Sequence, residues 1–343
     1  EVSYSATSNE FLVVWRGDEA GTDGLVDNEF EVFGQRVASD TMSLQSGRMQ
    51  ISQMAGANGN TNFDASNPEV TWNSDSNQFL VLWAADDNDN GMIDNELEIF
   101  GRLVAAGGSP LGATQTRVSS LGGSGDSASR ATHPRAVYNN SDGRFFVTFD
   151  GDDALVSDGE NEVFGQFLNG TTLAAIGGHF QISDAGLAGS TSFRASSAIP
   201  TYDPTTENYT VVYMADEDVD NENEMYARRV DSAGAVLDND EIRLTHMGDD
   251  GSTLYRGQSP AAAYSSVTSD TLLVYYGDDN RGSLLDGEDE VFGQFVTDTM
   301  LVDYQSRGAD DGAAHVRVAG MRLGALTDND PDGLPSLNAD GDD

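Results

Sequence analysis

Carboxylates recur along this chain at nearly constant intervals. The phrase Glu29-Phe-Glu-Val-Phe-Gly-Gln returns as Glu96-Leu-Glu-Ile-Phe-Gly-Arg, Glu160-Asn-Glu-Val-Phe-Gly-Gln, Glu222-Asn-Glu-Met-Tyr-Ala-Arg and Glu288-Asp-Glu-Val-Phe-Gly-Gln. Each copy follows a run of Asp, Asn and Gly. Oxygen donors in that arrangement suit a hard cation of calcium's size. Copy two is the clearest, with Asp86, Asn88, Asn90, Gly91 and Asp94. Ligands at the first, third and fifth positions, then a glycine for a sharp turn, would wrap such an ion.

That pattern resembles the D-x-[DN]-x-[DN]-G-x-x-D calcium hairpin of the FG-GAP propeller repeats in integrin α chains. It departs from an EF-hand, because the twelfth position is Leu97, leaving Glu96 or Glu98 to supply a bidentate carboxylate. The other copies are looser. Copy one offers Asp18, Asp23, Asp27 and Glu29; copy three Asp152, Asp153, Asp158 and Glu160. Copy four offers Asp216, Asp218, Asp220 and Glu222; copy five Asp278, Asp279, Asp286 and Glu288. Near the C-terminal end, Asp328, Asp330 and Asp332 stand in Asp-x-Asp-x-Asp-Gly-Leu-Pro. This segment resembles the thrombospondin type 3-like calcium repeats that serve as spacers in bacterial surface proteins. The alternatives are a solvated acidic loop in a salt-adapted protein and a disordered acidic tail. Arg16-Gly-Asp18 is read as repeat structure, since Gly-Asp or Ala-Asp fills the same place in every copy.

The spacings of the second glutamates (Glu31, Glu98, Glu162, Glu224, Glu290) are 67, 64, 62 and 66 residues. Such a period marks an array of one supersecondary unit. Each unit divides into four strand-like segments. A first strand opens near a proline (Pro68, Pro134, Pro200, Pro260), where no ladder hydrogen bond is lost. A strand apolar on both faces follows, such as Phe79-Leu-Val-Leu-Trp, then the acidic loop and the Glu-Val-Phe-Gly strand. The fourth strand is placed at Met49-Gln-Ile-Ser, Thr116-Arg-Val-Ser, Phe180-Gln-Ile-Ser, Ile242-Arg-Leu-Thr and Val316-Arg-Val-Ala. Four short strands per unit describe a β-propeller blade. The expected fold is therefore all-β, a five-bladed propeller over 1–324, with blades near 1–55, 67–120, 133–184, 199–246 and 259–320. Residues 325–343 form an acidic tail. The glycine of the third strand (Gly34, Gly101, Gly165, Gly293) is read as making room for an aromatic ring of the next blade.

Composition narrows the partners. There are 58 Asp plus Glu against 17 basic residues, all Arg, for a net charge of −41. That surface repels nucleic acid and anionic membranes. Cysteine is absent, which excludes disulfides and thiolate chemistry. No apolar run approaches the roughly 20 residues of a membrane span. The chain starts inside a strand-like segment without Met and reads as an excerpt of a longer polypeptide.

The leading expectation is a calcium-binding, non-catalytic module of a secreted or cell-surface protein. It would meet surface or matrix proteins or polysaccharide, with self-association into a filament or sheath as one alternative. The other alternative is a propeller glycoside hydrolase, which needs carboxylates around the axis. The inward first-strand positions are assigned to Glu69, Arg135, Thr201 and Ala261, with His133 near them. Only one carboxylate stands in that set.

Overall fold

The computed structural model describes residues 1–18, 24–88, 91–112, 115–153, 159–186, 191–217, 219–248, 251–278, 289–297 and 321–325. These fall into two compact units, Glu1–Gln181 and Ile182–Asp343. The described residues form five sheets of four antiparallel strands, each sheet in simple sequence order, which is the meander of a propeller blade.

In the first unit the sheets are β1 (Val2–Ser5), β2 (Glu10–Gly17), β3 (Glu31–Ala38) and β4 (Leu44–Gln50); then β5 (Ala65–Asn73), β6 (Gln78–Ala85), β7 (Glu98–Ala105) and β8 (Thr116–Arg117). The third is β9 (Arg130–Asn139), β10 (Arg144–Asp152), β11 (Glu162–Asn169) and β12 (Ala175–Gln181). The second unit holds β13 (Ala195–Asp203), β14 (Asn208–Ala215), β15 (Glu224–Val230) and β16 (Ile242–Arg243), and then β17 (Arg256–Ser265), β18 (Asp270–Asp278), β19 (Glu290–Val296) and β20 (Met321–Ala325). Among the described residues no helix is long and apolar enough to cross a membrane.

The second strand of each sheet is the core strand. In β6, Phe79, Leu80, Val81, Leu82 and Trp83 are all fully buried, so both faces are covered, as a continuous apolar run requires. The third strand carries the repeated aromatic (Phe33, Phe100, Phe164, Tyr226, Phe292), buried in every copy.

Three details differ from the expectation. First, the fourth strand of copy five is Met321–Ala325, not Val316-Arg-Val-Ala, which lies outside the described residues. Arg322 pairs with Phe292 as Arg117 pairs with Phe100, so the strand begins five residues later than its sequence pattern suggested. Second, at Gly34 and Gly101 the third-strand glycine makes room for aliphatic side chains of its own blade, not for a ring. A Cβ at Gly34 would stand 2.8 Å from Ile51 Cδ1 and 3.3 Å from Leu12 Cδ1; at Gly101, 2.9 Å from Leu82 Cδ2. Gly34→Ala is expected to lower stability by about 1–3 kcal/mol, the usual cost of overpacking, read as a lower denaturant midpoint.

Third, proline does not mark one register position. Each first strand of copies two to five carries a bulge with one left-handed residue: Asn67 (φ 48°), His133 (φ 49°), Ser197 (φ 58°) and Ser259 (φ 49°). The register shifts across it. Proline follows directly in three copies, but Ala198 takes that place in copy four. The counterpart of Glu69 there is therefore Ile199, paired with Val212 as Glu69 is with Leu82, and not Thr201.

Candidate active site on the first strands

The second glutamate of the repeated phrase is a buried hub. Glu31, Glu98 and Glu224 are no more than 1% exposed. Each accepts a hydrogen bond from the hydroxyl that follows the fourth strand, Ser52, Ser119 or Thr245. Each also accepts the N–H two residues further on, from Met54 (2.7 Å), Leu121 (2.7 Å) or Met247 (2.5 Å). The same hydroxyls accept the N–H of Val32, Ile99 and Met225, closing the loop onto the third strand.

Charge compensation differs between copies. Arg117 lies 2.7 Å from Glu98, and Arg243 lies 2.9 Å from Glu224. Copy one has the neutral Gln50 at that register position. Burial raises the proton affinity of all three carboxyls, and without an arginine Glu31 is pushed up to about 7. Between pH 4.5 and 7 the folded chain then holds a proton on Glu31 that the unfolded chain has released, so stability falls as pH rises through that window. The full loss is about 3 kcal/mol. Glu31→Gln, which keeps an acceptor for Ser52 and Met54, is expected to flatten that slope in urea melts at pH 4.5 and 7.5.

The first glutamates and the loop aspartates tie down backbone. Glu29 accepts N–H from Gly59 (2.8 Å) and Val26 (3.0 Å); Glu96 from Gly125 (2.8 Å) and Ile93 (3.0 Å); Glu222 from Gly251 (2.9 Å). Asp86 accepts N–H from Asn95 (2.8 Å) and Asp64 (3.0 Å), and Asp216 from Asn221 (2.9 Å) and Arg194 (2.6 Å). Asp18 takes Asn28 (3.3 Å) and Asp152 takes Gly159 (2.6 Å). Asn28, Asn95 and Asn221 are left-handed (φ 66°, 67°, 67°), a conformation that asparagine tolerates. Asp27, Asp94 and Asp220 are exposed, each on the Nδ2 of the asparagine that follows. Asn88 is exposed, while Glu160 and Asp278 are buried. Asp23, Asn90, Asp158, Asp218, Asp286, Glu288, Asp328, Asp330 and Asp332 lie outside the described residues.

The first strands of the first unit bring a different set together. Glu69 and Arg135 each follow the bulge of their strand, opposite Leu82 and Thr148. In copy one Val2 pairs with Val13, and the Val14 N–H donates to the Glu1 carbonyl, which puts Glu1 at the same position. Arg135 spans both acids, Nη1 lying 2.9 Å from Glu69 Oε2 and Nη2 3.1 Å from Glu1 Oε1. Their side chains are 13% (Glu69), 32% (Arg135) and 45% (Glu1) exposed. Burial pushes the Glu69 carboxyl up to about 7, against the pull of Arg135. A mostly buried acid that holds its proton near neutrality, with a second carboxylate beside it, is an arrangement suited to proton donation.

The sequence reading named Glu69 and Arg135 but missed Glu1. The available signal was the strand register: Glu1 precedes its strand as Glu69 precedes Val70.

No protein-family model matches the chain, and no curated protein does. Solved structures share its fold at low identity. A Hadza microbial sialidase matches with a TM-score of 0.51 at 10% identity, over 87% of this chain and 55% of its own. The endo-arabinase of Bacteroides thetaiotaomicron matches with 0.46 at 8% identity, over 87% and 93%. The GH43 endo-arabinanase of Bacillus licheniformis matches with 0.43 at 12% identity, over 86% and 91%. The expectation of a non-catalytic adhesion or filament module is corrected here. A solved structure that shares the fold carries the name of an enzyme, a sialidase; the described loop carboxylates Asp86 and Asp216 accept backbone N–H groups. The chain has the β-propeller fold, with five four-stranded sheets as its blades.

Proposed function

We propose that this propeller acts on a glycan as a glycoside hydrolase, with Glu69 as the proton donor. The observation that carries the reading is the Glu69–Arg135–Glu1 cluster, where repeat symmetry is broken on the first strands. Among the described residues the acidic loops repeat one backbone-binding arrangement from copy to copy, whereas a catalytic centre needs a single unlike set of groups. Glu69, protonated, would give its proton to the glycosidic oxygen as the bond to the anomeric carbon breaks. Glu1 is the second carboxylate, placed to take a proton from water or to meet the anomeric carbon. Arg135 holds the two acids in one geometry through its planar fork. The solved neighbours named for arabinan and sialic acid motivate the choice of glycans to test.

The experiment is turnover on a panel of neutral and acidic polysaccharides and oligosaccharides, with Glu69→Gln as the control. Release of reducing ends by the wild type and its loss in the variant support the reading. Equal rates in both reject Glu69 as the donor.

Calcium at Asp86, Asn88, Asp94 and Glu96 is a separate proposal, resting on the spacing that resembles the FG-GAP hairpin. The likeness of the 328–332 segment to thrombospondin type 3-like repeats makes Asp328, Asp330 and Asp332 further ligands in this proposal. Added calcium is expected to raise the melting temperature over chelator-treated protein at fixed ionic strength. An unchanged melting temperature would remove it.

A further inference from the structure

Copy three departs from the repeat at two more positions beside Arg135. His133 fills the left-handed bulge position, where the other copies have Asn67, Ser197 and Ser259. Its Nδ1 lies 2.8 Å from Oδ2 of Asp150, whose side chain is 3% exposed. The register counterparts of Asp150 are Arg16, Ala84, Met214 and Tyr276, so no other copy places an acid there. A carboxylate withdrawn from water needs a partner. The His133 ring, half exposed, supplies one, and Thr132 Oγ1 approaches at 3.5 Å. A left-handed backbone costs a non-glycine residue about 1–2 kcal/mol. Two residues further on, Arg135 reaches out to Glu69 and Glu1.

We propose that His133 and Asp150 are a positioning pair for the Glu69–Arg135–Glu1 site: in copy three their tether pins a bulge that copies two, four and five form without a histidine–carboxylate pair, and from it Arg135 spans Glu69 and Glu1. The pair thereby fixes how strongly the guanidinium acts on the Glu69 carboxyl. Its effect on turnover rests on the hydrolase reading, but its effect on Glu69 does not. The charged side chains facing Glu69 are Arg135 and Glu1; those facing His133 are Asp150 and Arg135. Burial raises the Glu69 carboxyl and Arg135 opposes that, so a loosened Arg135 lets it rise further.

The test is a carbon-13 NMR titration of the Glu69 carboxyl in the full chain, with its resonance identified by Glu69→Gln. His133→Asn keeps a residue that tolerates the left-handed backbone, as Asn67 does, and removes the imidazole. It is expected to raise the Glu69 midpoint by about one pH unit, a fraction of what a nearby arginine exerts on a carboxylate. Arg135→Gln should shift it the same way, and the double variant should match Arg135→Gln alone, because His133 acts through Arg135. Asp150→Ala must reproduce the shift from the other end of the tether, which decides the matter if His133→Asn fails to fold. Asp150→Asn, which keeps an acceptor for the ring, should restore the midpoint. An unmoved midpoint in the tether variants, or additive shifts in the double variant, overturns the pair. If the wild type turns over no glycan, the hydrolase reading fails and the titration still decides the role of His133.

Discussion

Glu69→Gln is expected to lower turnover of a susceptible glycan by roughly 10²- to 10⁴-fold, the range that a positioned general acid contributes. The glutamine side chain is nearly isosteric and can still accept from Arg135, so the fold and ground-state binding should survive. KM should change little while kcat falls, the signature of an interaction made mainly in the transition state. The pH profile provides a second check. A donor must be protonated, so wild-type activity should fall as pH rises through about 7, where burial has placed the Glu69 carboxyl. Its ordinary value of 4.5 would put that limb far lower. An activity that persists unchanged to pH 9 would mean that Glu69 is not the donor. Substrates with an activated leaving group need less protonation, so the loss in Glu69→Gln should shrink for aryl glycosides.

Glu224→Ala is expected to destabilise the second unit by about 3–5 kcal/mol, the cost of leaving a buried charge without its partner. Arg243, with a side chain 6% exposed, would lose one of two carboxylate partners, keeping Glu222 beside the Thr245 carbonyl. Thr245 Oγ1 and the Met247 N–H would lose their acceptor as well. Glu224→Gln keeps the acceptor and loses the charge, so it should cost less. Copy one provides the contrast. Glu31 faces Gln50 rather than an arginine, so Glu31→Gln should be neutral or stabilising above pH 7. Urea denaturation of the three variants at pH 7.5 checks the series. Were these glutamates cation ligands, Glu224→Ala would be harmless in metal-free buffer and harmful only with calcium. The hub geometry predicts the same loss in both.

These contrasts show where the sequence was sufficient. The 62- to 67-residue period and the doubly apolar second strands led directly to five four-stranded blades, because both features follow from local pattern. The copy-four counterpart of Glu69 was misplaced, since Pro200 sits two residues beyond the site of Ala198 and only the bulge at Ser197 reveals it. The fourth strand of copy five was misplaced for a similar reason. Val316-Arg-Val and Met321-Arg-Leu are interchangeable as patterns, and only pairing with Phe292 and Gly293 separates them.

The site was less legible than the fold. A carboxylate that binds a cation and one that caps backbone N–H groups have the same side chain and the same spacing. Which of them Glu31 is depends on Ser52 and Met54, more than 20 residues away, and so on chain closure. Glu1, Glu69 and Arg135 are separated by 68 and 66 residues, and nothing local links them. The sequence by itself determined the repeat, its strands and the charge of its loops, since these rest on periodicity and composition. Tertiary structure alone decided that the described loop acids Asp86 and Asp216 accept distant backbone N–H groups and that two first-strand acids meet across one guanidinium, because strand packing sets which distant residues come together.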